Sequence, residues 1–238
     1  MTLQIELGDV TVDVILKDIK NVHLSVLPPT GSVRISAPRR MSLETIRVFA
    51  ISKLDWIKRQ QAKLRAQERE TPREYLERES HYVWGRRYLL RLREADEPPA
   101  IELQHSRLLL QVRPGTAEQV REALVEAWYR KQIRKAVPPL LARWQPPLGV
   151  EVRRFFVQRM KTKWGSCNHR ARTIRLNTEL AKKPPECLEY IVVHELVHLL
   201  EPTHNARFVA LMDRFLPSWQ HRRQVLNRLP IRRETWSY

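Results

Sequence analysis

Only two cysteines, Cys167 and Cys187, occur in 238 residues, so no disulfide framework is expected. No segment approaches the roughly eighteen apolar residues of a membrane span. The opening Met1-Thr2-Leu3-Gln4-Ile5-Glu6 lacks the basic-then-apolar pattern of a signal peptide. A soluble, cytoplasmic protein is therefore expected. Acidic residues are in deficit: 26 Asp and Glu stand against 43 Lys and Arg, a formal net charge of +17. Such a field favours nucleic acid, anionic membrane surface or acidic proteins as partners. Yet there is no helix-turn-helix, zinc-finger or RNA-binding signature, no internal repeat and no low-complexity tract. What remains, 42% hydrophobic and 29% charged, is a globular balance with enough chain for one large domain or two small ones.

Against that background one stretch stands out, His194-Glu195-Leu196-Val197-His198, with His204 six residues on. Histidines four apart share one helical face, about 6 Å apart along the axis. Both imidazoles can then reach one metal ion, with Glu195 beside them to act on a water. Cys187 to Val193 and Leu199-Leu200 make this helix apolar on nearly every side, so it reads as buried. Buried histidines need partners, and a metal supplies one. A core helix with merely hydrogen-bonded histidines is the bland alternative. Pro202 ends the helix and pushes Glu201 towards extended backbone, so His204 can return from a turn. Three histidines with one open position is the pattern of a catalytic zinc site. Asp213 on the following helix is the alternative third ligand. His169 and Cys167 are weaker ones. The offset of six matches the extended three-histidine motif, but Glu201 replaces its glycine.

Around this centre, residues 3–16 alternate in strand fashion about Gly8-Asp9, and 21–27 with 32–36 do so about Pro28-Pro29-Thr30-Gly31. Ser42 is a candidate N-cap for an amphipathic helix to about residue 67. Gln67 to Ser80, dense in both charge signs, reads as a solvated linker or an exposed helix. Two more hairpins follow at 81–92 and 101–112, with His81 and His105 expected to be solvated in turns. Thr116 with Gln119 predicts a capping box. Its helix buries Val120, Leu124, Trp128 and Ile133 and is ended or kinked by Pro138-Pro139. Strands are expected over 150–158 and 173–177. Helices follow over about 185–200, over 206–216 (capped by Asn205) and after Ser218. Tyr190 and Trp164 read as core residues.

Met160-Lys161-Thr162-Lys163-Trp164-Gly165-Ser166-Cys167-Asn168, then Ile174-Arg175-Leu176-Asn177, then the histidine motif with Asn205 and Phe208, resembles the YgjP-like zinc metallopeptidases, relatives of the SprT-like proteases in the zincin group. Ala206 and Val209 stand where that family commonly has serine and tryptophan. The resemblance implies an α+β fold: a zincin-like core with a small mixed sheet and an active-site helix, preceded by N-terminal β-hairpins and a helix. The chain is expected to divide at 1–80 and 81–238, the two parts packed as one unit. The resemblance also implies a zinc-dependent peptidase with one Zn²⁺ per chain on His194, His198 and His204, and Glu195 as general base. Protein or peptide is then the substrate. Between Arg153 and Lys183 lie ten basic residues and one acidic, Glu179, an expected surface for acidic protein segments or nucleic acid. By analogy with SprT-like proteases the substrates would be DNA-associated or acidic. The rival is a basic nucleic-acid-binding protein with a non-catalytic metal site.

Overall fold

A computed structural model describes residues 2–27, 31–66, 69–70, 74–160, 162–229 and 231–232. The expected turn at 28–30, parts of the charged stretch after 66 and the tail from 233 fall outside them. The chain forms two compact units, Met1–Thr71 with Pro230–Tyr238, and Pro72–Leu229.

In the first unit, β1 (Thr2–Leu7), β2 (Val10–Lys17), β3 (His23–Leu27) and β4 (Ser32–Pro38) form a sheet of order β1-β2-β4-β3. Each hairpin is antiparallel, and the central β2–β4 pair is parallel. Alternation along β2 buries Val10, Val12 and Val14. They pack with Val33, Ile35, Ile46, Ala50 and Ile57. The single helix expected to about 67 is two, α1 (Leu43–Ser52) and α2 (Leu54–Ala66). Ser52 Oγ donates to the Phe49 carbonyl at 2.7 Å, a local bond that competes with helix continuation. Ser42 caps α1 by accepting from Thr45 N. β5 (Arg69–Glu70) follows.

The second unit repeats that strand pattern, although the sequence shows no repeat. β6 (Ser80–Val83), β7 (Arg86–Glu94), β8 (Ala100–Gln104) and β9 (Arg107–Val112) lie in order β6-β7-β9-β8, again with a parallel central pair. The β6–β7 turn puts Trp84 and Gly85 at φ 50° and 78°, both positive as a two-residue hairpin of this twist needs. His81 is not solvated but fully buried. The alternation of β6 turns it inward with Val83, where its Nε2 lies 3.1 Å from Glu79 Oε1.

α3 (Glu118–Leu148) runs straight through four prolines. Its buried stripe is Val125, Tyr129, Ile133, Val137 and Leu141, and Val120 is exposed. Pro138 and Pro139 lie on the exposed side, as do Arg134 and Lys135, whose carbonyls they free. Water can take those carbonyls. Pro138 and Pro139 together cost about 6 kcal/mol at about 3 each, and the five buried side chains of the stripe contribute about 7.5–15 kcal/mol, so burial wins. The capping box does not form; Ala117 is the N-cap, and Thr116 Oγ1 bonds the Arg113 carbonyl instead.

β10 (Arg154–Gln158), β11 (Gly165–Asn168) and β12 (Thr173–Asn177) make a small mixed sheet of order β10-β12-β11. β10 starts later than expected, and β11, absent from the sequence reading, is an edge strand. α4 (Pro185–Val197), α5 (Ala206–Phe215) and α6 (Trp219–Arg228) complete the unit. β13 (Ile231–Arg232) then pairs parallel with β5. The architecture is α+β. Among the described residues no helix is long and apolar enough to cross a membrane.

Candidate active site

α4 starts with proline at its first turn, where the missing N–H costs nothing. It ends at Val197 with His198 as its C-cap. The following turn is pinned at Glu201, whose carboxylate accepts from Thr203 Oγ1 at 2.8 Å, and at Asn205, which caps α5 through Phe208 N at 3.0 Å. His204 sits between these anchors. His194 Nε2 lies 3.2 Å from His198 Nε2 and 3.1 Å from His204 Nε2. The Phe208 ring is 4.7–4.9 Å from all three imidazoles, measured between centroids, and floors the cluster.

The donor set fits a metal ion. Four tetrahedral ligands at zinc–nitrogen distances stand about 3.3 Å apart, close to the two separations from His194, and all three donor atoms lie within 4.8 Å of one another. His198 Nδ1 faces the Glu201 carbonyl at 3.1 Å. A carbonyl only accepts, so Nδ1 carries the proton and Nε2 offers its lone pair. Burial, then the neighbouring imidazoles, holds His194 down at about 3. Burial also lowers His198, against its bond to Glu201. Both rings are thus neutral at pH 7.

Glu195 is 4% exposed, and its Oε2 is buried without a hydrogen-bond partner. Burial pushes its pKa up to about 8, with the Lys163 ammonium pulling the other way. Its position depends on Gly165 in β11: a Cβ there would lie 2.4 Å from Glu195 Oε1 and 2.9 Å from Cγ and Cδ. Asn177 holds this edge. Its Nδ2 donates to the carbonyls of Met160 and Lys163, each at 2.8 Å, and its backbone N donates to Trp164 O at 2.9 Å.

The cluster opens into a cleft of about 820 Å³. One wall comes from Thr162 to Cys167 and His169, the other from Tyr190 and α6. Tyr190 is buried and stacks on Trp219, with ring centroids 6.5 Å apart, and meets His194 edge-on. Trp219 Nε1 donates to Asp213 Oδ1 at 2.7 Å, and Asp213 does not join the histidine cluster. His169 and Cys167 line the cleft without joining the cluster. Burial, then Glu195, pushes the Cys167 thiol up to about 11. Sequence reasoning missed the α6 wall of Trp219, Arg223 and Asn227; their spacing of four was the available signal. The expected basic surface shrinks, because Lys182 and Lys183 are each 3% exposed. Lys182 pairs with Glu179 at 2.8 Å, and Lys183 lies over the Trp164 ring.

Comparison with known proteins adds the following. The profile of the YgjP-like metallopeptidase domain matches residues 20–229. No curated protein matches significantly. Among solved structures, the metallopeptidase zymogen of Pyrococcus abyssi abylysin is 21% identical with a TM-score of 0.37, over 41% of this chain and 99% of its own. The metallopeptidase zymogen of Methanocaldococcus jannaschii jannalysin is 23% identical with a TM-score of 0.33, over 40% of this chain and 86% of its own. With the profile matching well over half of its residues, the chain belongs to the YgjP-like metallopeptidase family.

Proposed function

We propose that this cleft hydrolyses peptide bonds, with His194, His198 and His204 holding one Zn²⁺ and Glu195 serving as general base. The observation that carries this is the convergence of three imidazole nitrogens beside a buried carboxylate oxygen with no other partner. Zinc, when bound, supplies Lewis acidity that brings the pKa of a water towards neutrality and polarises a carbonyl. The protein supplies the rest. Glu195 takes a proton from the attacking water and returns it to the leaving amine. Gly165 lets the carboxylate approach the sheet edge, and Phe208 excludes water beneath the imidazoles. β11, an edge strand beside Glu195, offers unpaired backbone groups to an extended substrate. Glu195→Gln keeps the shape and removes the base. It should retain about one zinc per chain by elemental analysis and lose peptide hydrolysis by about 10³-fold, within the usual range for a general base. Turnover at the wild-type rate would remove Glu195 from this role.

A second reading rests on its own observation. On the outer face of the small sheet Phe156 is 36% exposed, with the guanidiniums of Arg154 and Arg175 at 5.8 and 5.5 Å from its ring. An aromatic flanked by arginines suits unpaired bases. Single-stranded DNA should bind there with strong salt dependence and be lost in Phe156→Ala/Arg175→Ala. Salt-insensitive or undetectable binding removes this reading.

A further inference from the structure

Two adjacent arginines of α6 have opposite surroundings. Arg222 Nη1 is bound to the Glu189 carboxylate, which also receives Arg143 Nη1 at 2.9 Å and Trp144 Nε1 at 3.0 Å. Arg223 is exposed, lines the cleft, and has no carboxylate partner among the described residues. It stands near enough for its charge to act on Tyr190 and His194. On the other wall Lys163 is likewise exposed and unpaired, and its charge acts on Glu195.

The helix that carries Arg223 is not free to turn. Trp219 anchors it through Asp213, Arg222 through Glu189, and Leu226 through the core. The helix therefore fixes the backbone position from which Arg223 reaches the cleft rim. Among the described residues that line the cleft the one carboxylate is Glu195, which is buried. A peptide backbone carries no charge, so two unpaired cations add nothing to the recognition of peptide as such. They discriminate among side chains and chain ends, attracting carboxylates and opposing ammonium groups. Between them, Tyr190, Trp219 and Leu226 offer apolar surface for neighbouring residues.

We propose that Arg223, with Lys163 on the other wall, makes the cleft selective for acidic peptide segments, Arg223 receiving a substrate carboxylate. This rests on the peptidase reading of the cleft and names its substrate class. The guanidinium fork suits a carboxylate better than an ammonium does, so Arg223→Lys should keep only part of the preference.

Binding separates this proposal from catalysis. Zinc-loaded Glu195→Gln protein is titrated with a fluorescent Glu/Leu peptide, its Gln/Leu isostere and a Lys/Leu peptide, read by anisotropy. The acidic peptide should bind about tenfold more tightly than the isostere at low salt, the low end for one charge-assisted bond. Arg223→Gln in the same background should remove most of that preference and leave the isostere unchanged. Arg223→Glu should favour the lysine peptide. Equal affinity of the parent for acidic and isosteric peptides overturns the proposal, as does a preference that survives Arg223→Gln. In the otherwise wild-type enzyme Arg223→Gln should raise KM for acidic peptides with kcat held. Arg223-dependent binding without cleavage of any peptide supports the proposal and defeats the peptidase reading. Cleavage indifferent to substrate charge does the reverse.

Discussion

Replacing Gly165 by alanine adds one methyl group to the edge of a sheet and should nearly silence the enzyme. The backbone of Gly165 is not in the left-handed region, so the demand for glycine is one of space. The new Cβ would stand 2.4 Å from Glu195 Oε1, against a normal carbon–oxygen approach of about 3.3 Å. Something must yield by about 1 Å. Gly165 is paired with Leu176 across β11 and β12, and Asn177 bonds the carbonyls and backbone just before it. The carboxylate is therefore the part that gives way. A 1 Å displacement of a reacting group costs about 10²-fold in rate, equivalent to about 2.7 kcal/mol of barrier. The three atoms nearest the added Cβ all belong to Glu195, so zinc content should not change. The assay is kcat on a fluorogenic peptide alongside zinc analysis and a melting curve. If the loss passes through Glu195, the double variant Gly165→Ala/Glu195→Gln should be no slower than Glu195→Gln alone. A kcat within about threefold of wild type, or additive losses in the double variant, would refute the reasoning.

Three further expectations follow from the same contacts. His204→Ala should lose or greatly weaken zinc binding. Asp213→Asn should keep the metal, because Asp213 is bonded to Trp219; the opposite pattern would move the third ligand to α5. Asn177→Ala removes two 2.8 Å bonds to backbone carbonyls, and urea unfolding should show a loss of about 2 kcal/mol with slower turnover. Unchanged stability would show that Asn177 does not hold the loop. Burial alone would push Glu189 up, but the bonds from Arg222 and Trp144 and the charges of Arg222 and Arg143 hold it below its ordinary 4.5. A carboxylate with a depressed folded pKa stabilises above its unfolded pKa and loses that contribution as pH falls through the folded value. The melting gap between wild type and Glu189→Gln should be wide at pH 7 and shrink as pH falls below the ordinary 4.5 of Glu189. A gap constant with pH would assign it to packing.

The parts of this protein legible in its sequence are those set by short-range geometry. His194 and His198 share a helical face by spacing alone, Ser42 and Asn205 announce their helices, and the α+β character follows from alternating and helical periods. The misread parts depend on distant neighbours. Pro138 and Pro139 look like a helix end until the buried stripe from Val125 to Leu141 is seen to outweigh them. His81 changes from solvent to core with the register of one strand. Lys182 and Lys183 read as surface charge, but Glu179, Tyr129 and Trp164 enclose them. The closeness of Gly165 to Glu195 is invisible without knowing that β11 passes over α4.

The neighbouring arginines of α6 divide two selective pressures between consecutive codons. Arg222 is bound into the fold, so a change there is felt by the whole unit whatever the protein acts on. Arg223 is tied to nothing structural and faces only what enters the cleft. Substitutions at 223 can therefore accumulate in descendants without a cost in folding. Binding preference within this lineage is then free to drift by single nucleotide changes while the architecture that presents it stays under constraint.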